Sequence, residues 1–387
     1  VEIADEKRRV LKAIIAWYKQ GPERKPYLTV GGYAGTGKTL LLALLRKVLL
    51  QSPKFTVAFA AYTGKATRVL RSALEDAEVL QKQDSVSTIH SLMYSPIENE
   101  KQEIIAWKRK EKLKANLIVI DEASMVDGKI WQDLLDYGIP ILAVGDHGQL
   151  PPISGNFHLM EKPDLTLSEI YRQAAENPII QLSILAREKG VIPVGRYSSQ
   201  VRKLSRQDPD AQEMLADYLQ MSPDETLVLC GYNSTRVKLN KQMRALLGFE
   251  GPEPQTGDRV ICLRNNHQKG IYNGMLGSLQ RIRAAGQAYD VQIALDDAPE
   301  DLYEGKVLKE QFGAKEGMNF TQFRSRSLQV DLFDFAYAMT VHKAQGSQAR
   351  RVVLFEERFP RMDDAAWRRW LYTGITRAEE ELILIGD

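Results

Sequence analysis

One stretch constrains this chain more than any other: Gly32-Tyr-Ala-Gly-Thr-Gly-Lys-Thr39. It matches G-x-x-x-x-G-K-[ST] and stands between the strand-like run Tyr27–Val30 and the leucine-rich stretch Leu40–Leu50. A strand that turns through glycines into a helix points backbone N–H groups at one spot, where the helix dipole also favours an anion. In that context the pattern predicts a nucleotide-phosphate loop built from Gly35, Thr36, Gly37, Lys38, Thr39 and Leu40. Lys38 would neutralise the β/γ-phosphates, and the Thr39 hydroxyl would sit on Mg²⁺.

Apolar strand-like runs recur along the chain with helical stretches between them: Tyr27–Val30, Phe55–Ala60, Leu117–Ile120, Ile139–Val144, Thr226–Cys230, Val352–Phe355 and Leu382–Ile385. This alternation predicts an α/β fold with parallel sheets covered on both faces. Four runs precede Pro151-Pro152 and three follow, which suggests two lobes in tandem. Two segments break the pattern. Ser95–Lys114 is polar and basic around Ile104-Ile105-Ala106-Trp107 and reads as a hairpin leaving the first lobe. The stretch Arg264–Phe335 is turn-rich, with alternating strands at Leu276–Ile282 and Tyr289–Leu295, and reads as a β-module inserted in the second.

The charges nearly cancel, 52 basic against 50 acidic residues, so a nucleic-acid track has to be local rather than global. Cys230 and Cys262 both fall in buried-strand patterns and are expected to be reduced core thiols of a cytoplasmic protein. No apolar run reaches the ~18 residues of a membrane span, and the charged start at Val1 is unlike a secretory leader. Val1 in place of Met implies a trimmed chain.

Downstream of the loop, Leu117-Ile-Val-Ile-Asp121-Glu122 is an apolar strand ending in two carboxylates. Asp121 would hold Mg²⁺, and Glu122 would orient and deprotonate the attacking water. The roles are separate because a metal-bound carboxylate is a poor base.

With these two elements in place, the remaining motifs resemble those of superfamily-1 helicases, specifically the RecD-like/Dda-like group. Ala61-Tyr-Thr-Gly-Lys-Ala66, Ser87-Thr-Ile-His-Ser-Leu92, Asp121-Glu-Ala-Ser-Met125 and Gly145-Asp-His-Gly-Gln-Leu-Pro-Pro152 occur in the family's order. So do Leu167-Ser-Glu-Ile-Tyr-Arg-Gln173, Thr340-Val-His-Lys-Ala-Gln-Gly-Ser347 and Leu371-Tyr-Thr-Gly-Ile-Thr-Arg-Ala378. The resemblance implies two tandem RecA-like P-loop lobes with a small pin insertion in the first and an SH3-like β insertion in the second. It divides the chain into a first lobe of 1–94 and 115–160, a pin of 95–114, a second lobe of 161–263 and 336–387, and the β insertion of 264–335. The chain departs from the family near its start. No glutamine occupies Asp5–Val10, where the family reads adenine: either that residue lies in sequence missing from this chain, or Glu6 or Lys7 replaces it.

The resemblance also assigns roles. Gln149 would sense the γ-phosphate, Arg172 and Arg377 would act as arginine fingers from the other lobe, and Tyr171 and Gly346 would adjoin the nucleotide. Strand phosphates would be met by Thr63, Lys65, Thr88 and His90 in the first lobe. Thr340, His342, Lys343, Asn233 and Arg236 would meet them in the second, and Trp107 would stack at the pin. Such contacts grip the backbone and carry no sequence information. The implied activity is an ATP- and Mg²⁺-dependent monomer moving 5′→3′ on single-stranded DNA and opening single-strand/duplex junctions, with replication or repair proteins as possible partners. An RNA helicase on the same scaffold, or a nucleotide-gated clamp or translocase without unwinding, are the rival readings.

Overall fold

The computed structural model describes residues 4–21, 25–52, 54–98, 104–152, 157–170, 175–221, 225–264, 266, 269–271, 273–296, 298–315 and 330–387. The chain forms two compact units, Val1–Ser95 with Lys108–Ser183, and Pro96–Trp107 with Ile184–Asp387.

The first unit is built on a six-stranded sheet: β1 (Tyr27–Gly32), β2 (Val57–Ala61), β3 (Ser85–Thr88), β6 (Leu117–Asp121), β7 (Ile141–Gly145) and β8 (Leu165–Leu167). Their order is β3-β2-β6-β7-β1-β8, and every pairing is parallel. Side chains alternate between faces along each strand. Val57, Phe59, Leu117, Val119, Leu142 and Val144 pack on one face against the helices Asp5–Lys19, Lys38–Leu49 and Gly64–Asp76. Ala58, Ala60, Ile118, Ile120, Ile141 and Ala143 pack on the other with Trp131 and Leu134 of the helix Gly128–Leu135. Two covered faces explain why the strands read as unbroken apolar runs.

Two short strands, β4 (Tyr94–Glu98) and β5 (Ile104–Arg109), form a separate two-stranded sheet where the hairpin was expected, tighter than 95–114. Its base is tied down: Tyr94 donates to Asp133 at 3.1 Å, and Arg109 donates to the Asp133 carbonyl at 2.7 Å.

In the second unit, β9 (Gly195–Arg196), β10 (Val201–Leu204), β11 (Thr226–Cys230), β17 (Ala338–Thr340), β18 (Ala349–Phe355) and β19 (Ala378–Ile385) form a sheet of order β17-β11-β18-β19-β10-β9. It is parallel except at the β9–β10 edge. A five-stranded antiparallel sheet carries its own core around Val260, Leu279, Val291, Ile293 and Phe333. Its strands are β12 (Arg259–Cys262), β13 (Leu276–Ala285), β14 (Ala288–Leu295), β15 (Ala298–Leu308) and β16 (Phe333–Phe335).

Two expected boundaries are corrected. Residues 161 onward were assigned to the second lobe, yet β8 pairs with β1 through Val30–Leu165 to Gly32–Leu167 and belongs to the first sheet. The module was expected to open at 264, yet Arg259–Cys262 already pairs with β13 and β16. Both strands are short, Leu165-Thr-Leu167 and Arg259-Val-Ile-Cys262, and such runs do not reveal which sheet they join. Cys230 and Cys262 are buried free thiols, as expected. Among the described residues no helix is long and apolar enough to cross a membrane.

Candidate active site

The phosphate loop needs its glycines. Gly35 and Gly37 have φ of +79° and +76°, where a side chain is strained. At Gly32, a Cβ would lie 2.6 Å from Thr36 Oγ1 and 3.2 Å from Lys38 Cγ. Thr36 is fully buried, and its hydroxyl donates to the Tyr33 carbonyl at 2.8 Å. Lys38 Nζ donates to the carbonyls of Gly32 and Tyr33 at 2.9 and 3.0 Å. Thr39 and Leu40 follow, half-buried, in a first helical turn without acidic residues, so no side chain of that turn offsets the positive end of the dipole.

Asp121 is the last residue of β6 and is buried. Burial and the neighbouring charge of Glu122 push its carboxyl up to about 6, against the pull of the Glu122 amide (2.9 Å) and of Lys38. Glu122 has φ of +53°, a left-handed conformation that costs a residue with a side chain about 1–2 kcal/mol. Its Oε2 is buried with no hydrogen-bond partner among the described residues. Two adjacent carboxylates short of countercharge suit a divalent cation. Among the described residues, no three His, Cys, Asp or Glu side chains form a metal site of their own, so such a cation would have to share its ligands with a phosphate.

Beyond β7, the buried Asp146 accepts from the Gly148 amide at 2.9 Å and from Gln149 Nε2 at 3.4 Å. Gln149 is itself buried, and its Oε1 has no partner among the described residues. The Tyr33 and His147 rings lie 4.2 Å apart, joining the phosphate loop to this turn. The loop, the acid pair and the glutamine thus stand at the C-terminal ends of β1, β6 and β7, neighbours in one parallel sheet. That edge is where open α/β sheets bind ligands.

Among the expected strand contacts, Thr63 and Thr88 cap helices, accepting from Ala66 N at 3.2 Å and Ser91 N at 3.1 Å. Lys65 is half-buried beside Thr63, and His90 stacks on Tyr94 at 4.6 Å. Lys110, which sequence reasoning noted only as part of a basic run, reaches Ser91 O at 2.7 Å and joins this group. In the second unit, Thr340 is buried at the end of β17. His342 is half-buried, and burial lowers its pKa and favours the neutral ring. Lys343 Nζ lies 2.7 Å from Asn273 Oδ1. Asn233 is exposed at the start of the helix Asn233–Leu246.

Arg236 is engaged within the second lobe: its guanidinium donates to the buried Asp334 at 2.6 Å. Arg377 is buried and donates to Thr373 O at 3.0 Å, Ser347 O at 3.3 Å and Thr376 Oγ1 at 3.2 Å, all neutral oxygens. Gly346, just ahead of Ser347, has φ of +73°. Tyr171 and Arg172 lie outside the described residues, as does the side chain of Trp107.

At the position of the missing adenine-reading glutamine, Glu6 is already engaged. It accepts from Ser168 N at 2.9 Å, Ser168 Oγ at 2.6 Å and Glu169 N at 2.9 Å, pinning the first helix to the segment after β8. Lys7 is buried beside it.

Comparison with known proteins agrees with this layout. Residues 21–205 match the family model described as an AAA domain, and residues 335–385 match the UvrD-like helicase C-terminal domain. The ATP-dependent RecD2 DNA helicase of Deinococcus radiodurans is 28% identical over 92% of this chain and 46% of its own length. The Pif1 ATP-dependent DNA helicase of Campylobacter jejuni is 24% identical over 84% of this chain and 81% of its own length. The Dda ATP-dependent DNA helicase of bacteriophage T4 is 32% identical over 34% of this chain and 29% of its own length. This chain therefore spans less than half of the RecD2 relative. The ordered motifs, the two domain models and these relatives agree in likening the chain to superfamily-1 DNA helicases of the RecD-like/Dda-like group.

Proposed function

We propose that this chain is an ATP-dependent motor that moves 5′→3′ on single-stranded DNA and unwinds duplex ahead of it. The observation that carries the reading is the convergence of Lys38, Asp121–Glu122 and Gln149 on one edge of the first sheet, which supports nucleotide hydrolysis there. The curated relatives are named as DNA helicases, which favours DNA over RNA, and the resemblance to the RecD-like group supplies the polarity.

In this reading the loop amides and Lys38 bind the triphosphate. Thr39 and Asp121 would hold Mg²⁺, whose charge would offset that of the phosphates. Glu122, held in a strained turn with an unpartnered oxygen, takes the proton of the attacking water. Gln149 senses the γ-phosphate. Arg377, held by neutral oxygens, keeps its full charge for an anion. The chain works as a monomer and engages single strands and junctions; partners in replication or repair would be recruited outside this chemistry.

The test compares unwinding of one duplex bearing a 5′ or a 3′ single-stranded tail, with ATP and Mg²⁺. Opening of the 5′-tailed substrate alone is expected. Opening from the 3′ tail would overturn the polarity. DNA-stimulated hydrolysis without opening of either would replace the helicase with a translocase or clamp.

A further inference from the structure

The cations of the second lobe differ in what holds them. Lys203 lies 2.8 Å from Glu356, Arg236 2.6 Å from Asp334, Arg244 2.8 Å from Asp258 and Lys269 2.7 Å from Asp331. A carboxylate cancels each of these charges, so none is left for a ligand. Lys343 is held otherwise. Its ammonium meets the Asn273 side-chain oxygen at 2.7 Å, and among the described residues no carboxylate pairs with it. An ammonium only donates, so Asn273 must turn its carbonyl, not its NH₂, toward Lys343. A neutral amide fixes the direction of the charge without cancelling it. The Arg377 charge, in a nucleotide motif, is likewise held by neutral oxygens.

Asn273 is itself braced. Asn266 and Ile271 exchange backbone hydrogen bonds at 2.8 and 3.2 Å, and Ile271 is fully buried in the core of the antiparallel module. The buried Asp331 gathers Asn266 Nδ2 and Lys269 Nζ, each at 2.7 Å, and the Tyr303 hydroxyl at 2.6 Å. On the far side of Asn273, Gly274 takes a φ of +96° and donates to Cys262 O at 2.8 Å. On the other partner, the Lys343 amide closes a turn onto Thr340 O at 2.9 Å, the turn that carries His342.

We propose that Asn273 is a positioning residue that aims the Lys343 ammonium at a backbone phosphate of the bound strand while leaving its charge intact, making this loop of the antiparallel module part of the strand grip. The inference rests on the strand-binding reading above. It assigns to Asn273 a function that neither its exposure nor its place in an Asn-Gly turn indicates.

The test is the affinity of a fluorescent oligo-dT, measured across a salt series without nucleotide, for the wild type, N273D, N273S, K343M and the N273D/K343M double variant. Thermal melts confirm that each is folded. In N273D a carboxylate cancels the Lys343 charge. Affinity should fall about tenfold at low salt, and the slope of log affinity on log salt should flatten by ~0.7, one phosphate on a single strand. K343M should do the same, and the double variant should be no weaker than K343M. N273S, neutral and still an acceptor, should keep the wild-type slope, so the inference stays open to refutation even if N273D does not fold. A wild type that binds while N273D matches it in affinity and slope would overturn the inference. So would losses that simply add in the double variant, or an N273S slope as flat as that of K343M. A wild type with no measurable binding would overturn the strand-binding reading itself.

Discussion

Gly145 and Ser124 meet backbone to backbone: a Cβ on Gly145 would stand 2.9 Å from the Ser124 amide nitrogen and 3.2 Å from that of Ala123. The turn bearing Glu122 therefore rests on the end of β7, whose next residues lead to Gln149. Gly145→Ala should displace that turn and slow hydrolysis by roughly tenfold or more, since small misplacements of a catalytic group are costly. Nucleotide affinity, set by the loop after β1, should hold. Single-turnover hydrolysis beside equilibrium nucleotide binding reads both, and wild-type turnover would show that the turn yields freely.

Glu122→Gln keeps the size of the side chain and removes the base. Nucleotide binding should be retained, while hydrolysis slows at least ~100-fold. Turnover near the wild-type rate would remove Glu122 from the chemistry. Lys38→Ala should instead weaken nucleotide binding and hydrolysis together.

Glu6 gives a pH signature. Burial would raise its carboxyl, but the Ser168 hydroxyl and the amides of Glu169 and Ser168 outweigh that and hold it below its ordinary 4.5. A depressed acid supplies stability that is present above the unfolded value and lost as pH falls through the folded one. The melting temperature of the wild type should therefore fall more steeply below about pH 4.5 than that of Glu6→Gln. At neutral pH the variant should be about 1–2 kcal/mol less stable. Parallel curves would mean that Ser168 and Glu169 find other acceptors.

Arg236→Ala separates packing from strand binding. It strands the buried carboxylate of Asp334, and such a loss costs roughly 3–5 kcal/mol. The salt dependence of oligo-dT binding should be unchanged. A flatter salt slope with wild-type stability would make Arg236 a strand contact rather than a packing residue.

Much of the nucleotide site was legible because its chemistry is local. Gly32–Thr39 specifies its own turn, and Asp121–Glu122 ends a run whose apolar residues fill both faces of a parallel sheet. What stayed hidden depends on partners far away in sequence. Nothing around Arg236 announces Asp334, 98 residues on, and nothing in Asp5–Val10 foretells that Glu6 would be spent on Ser168. Thr63 and Thr88 stand just ahead of helices, where a hydroxyl serves as a cap as readily as it meets a phosphate. Strand β8 was placed in the other lobe because three residues, two of them leucine, carry too little pattern to name their neighbours.

That same edge strand leaves a mark that should be readable across relatives. Gly32 pairs with Leu167, and a Cβ on Gly32 would lie 3.2 Å from that of Leu167. The start of the phosphate loop and the last residue of β8 thus share one small volume, and neither position can drift alone. In an alignment of relatives, side chains bulkier than leucine at 167 should be found only with glycine at 32, a correlated constraint between the loop that receives phosphate and the strand from which the chain leaves the sheet.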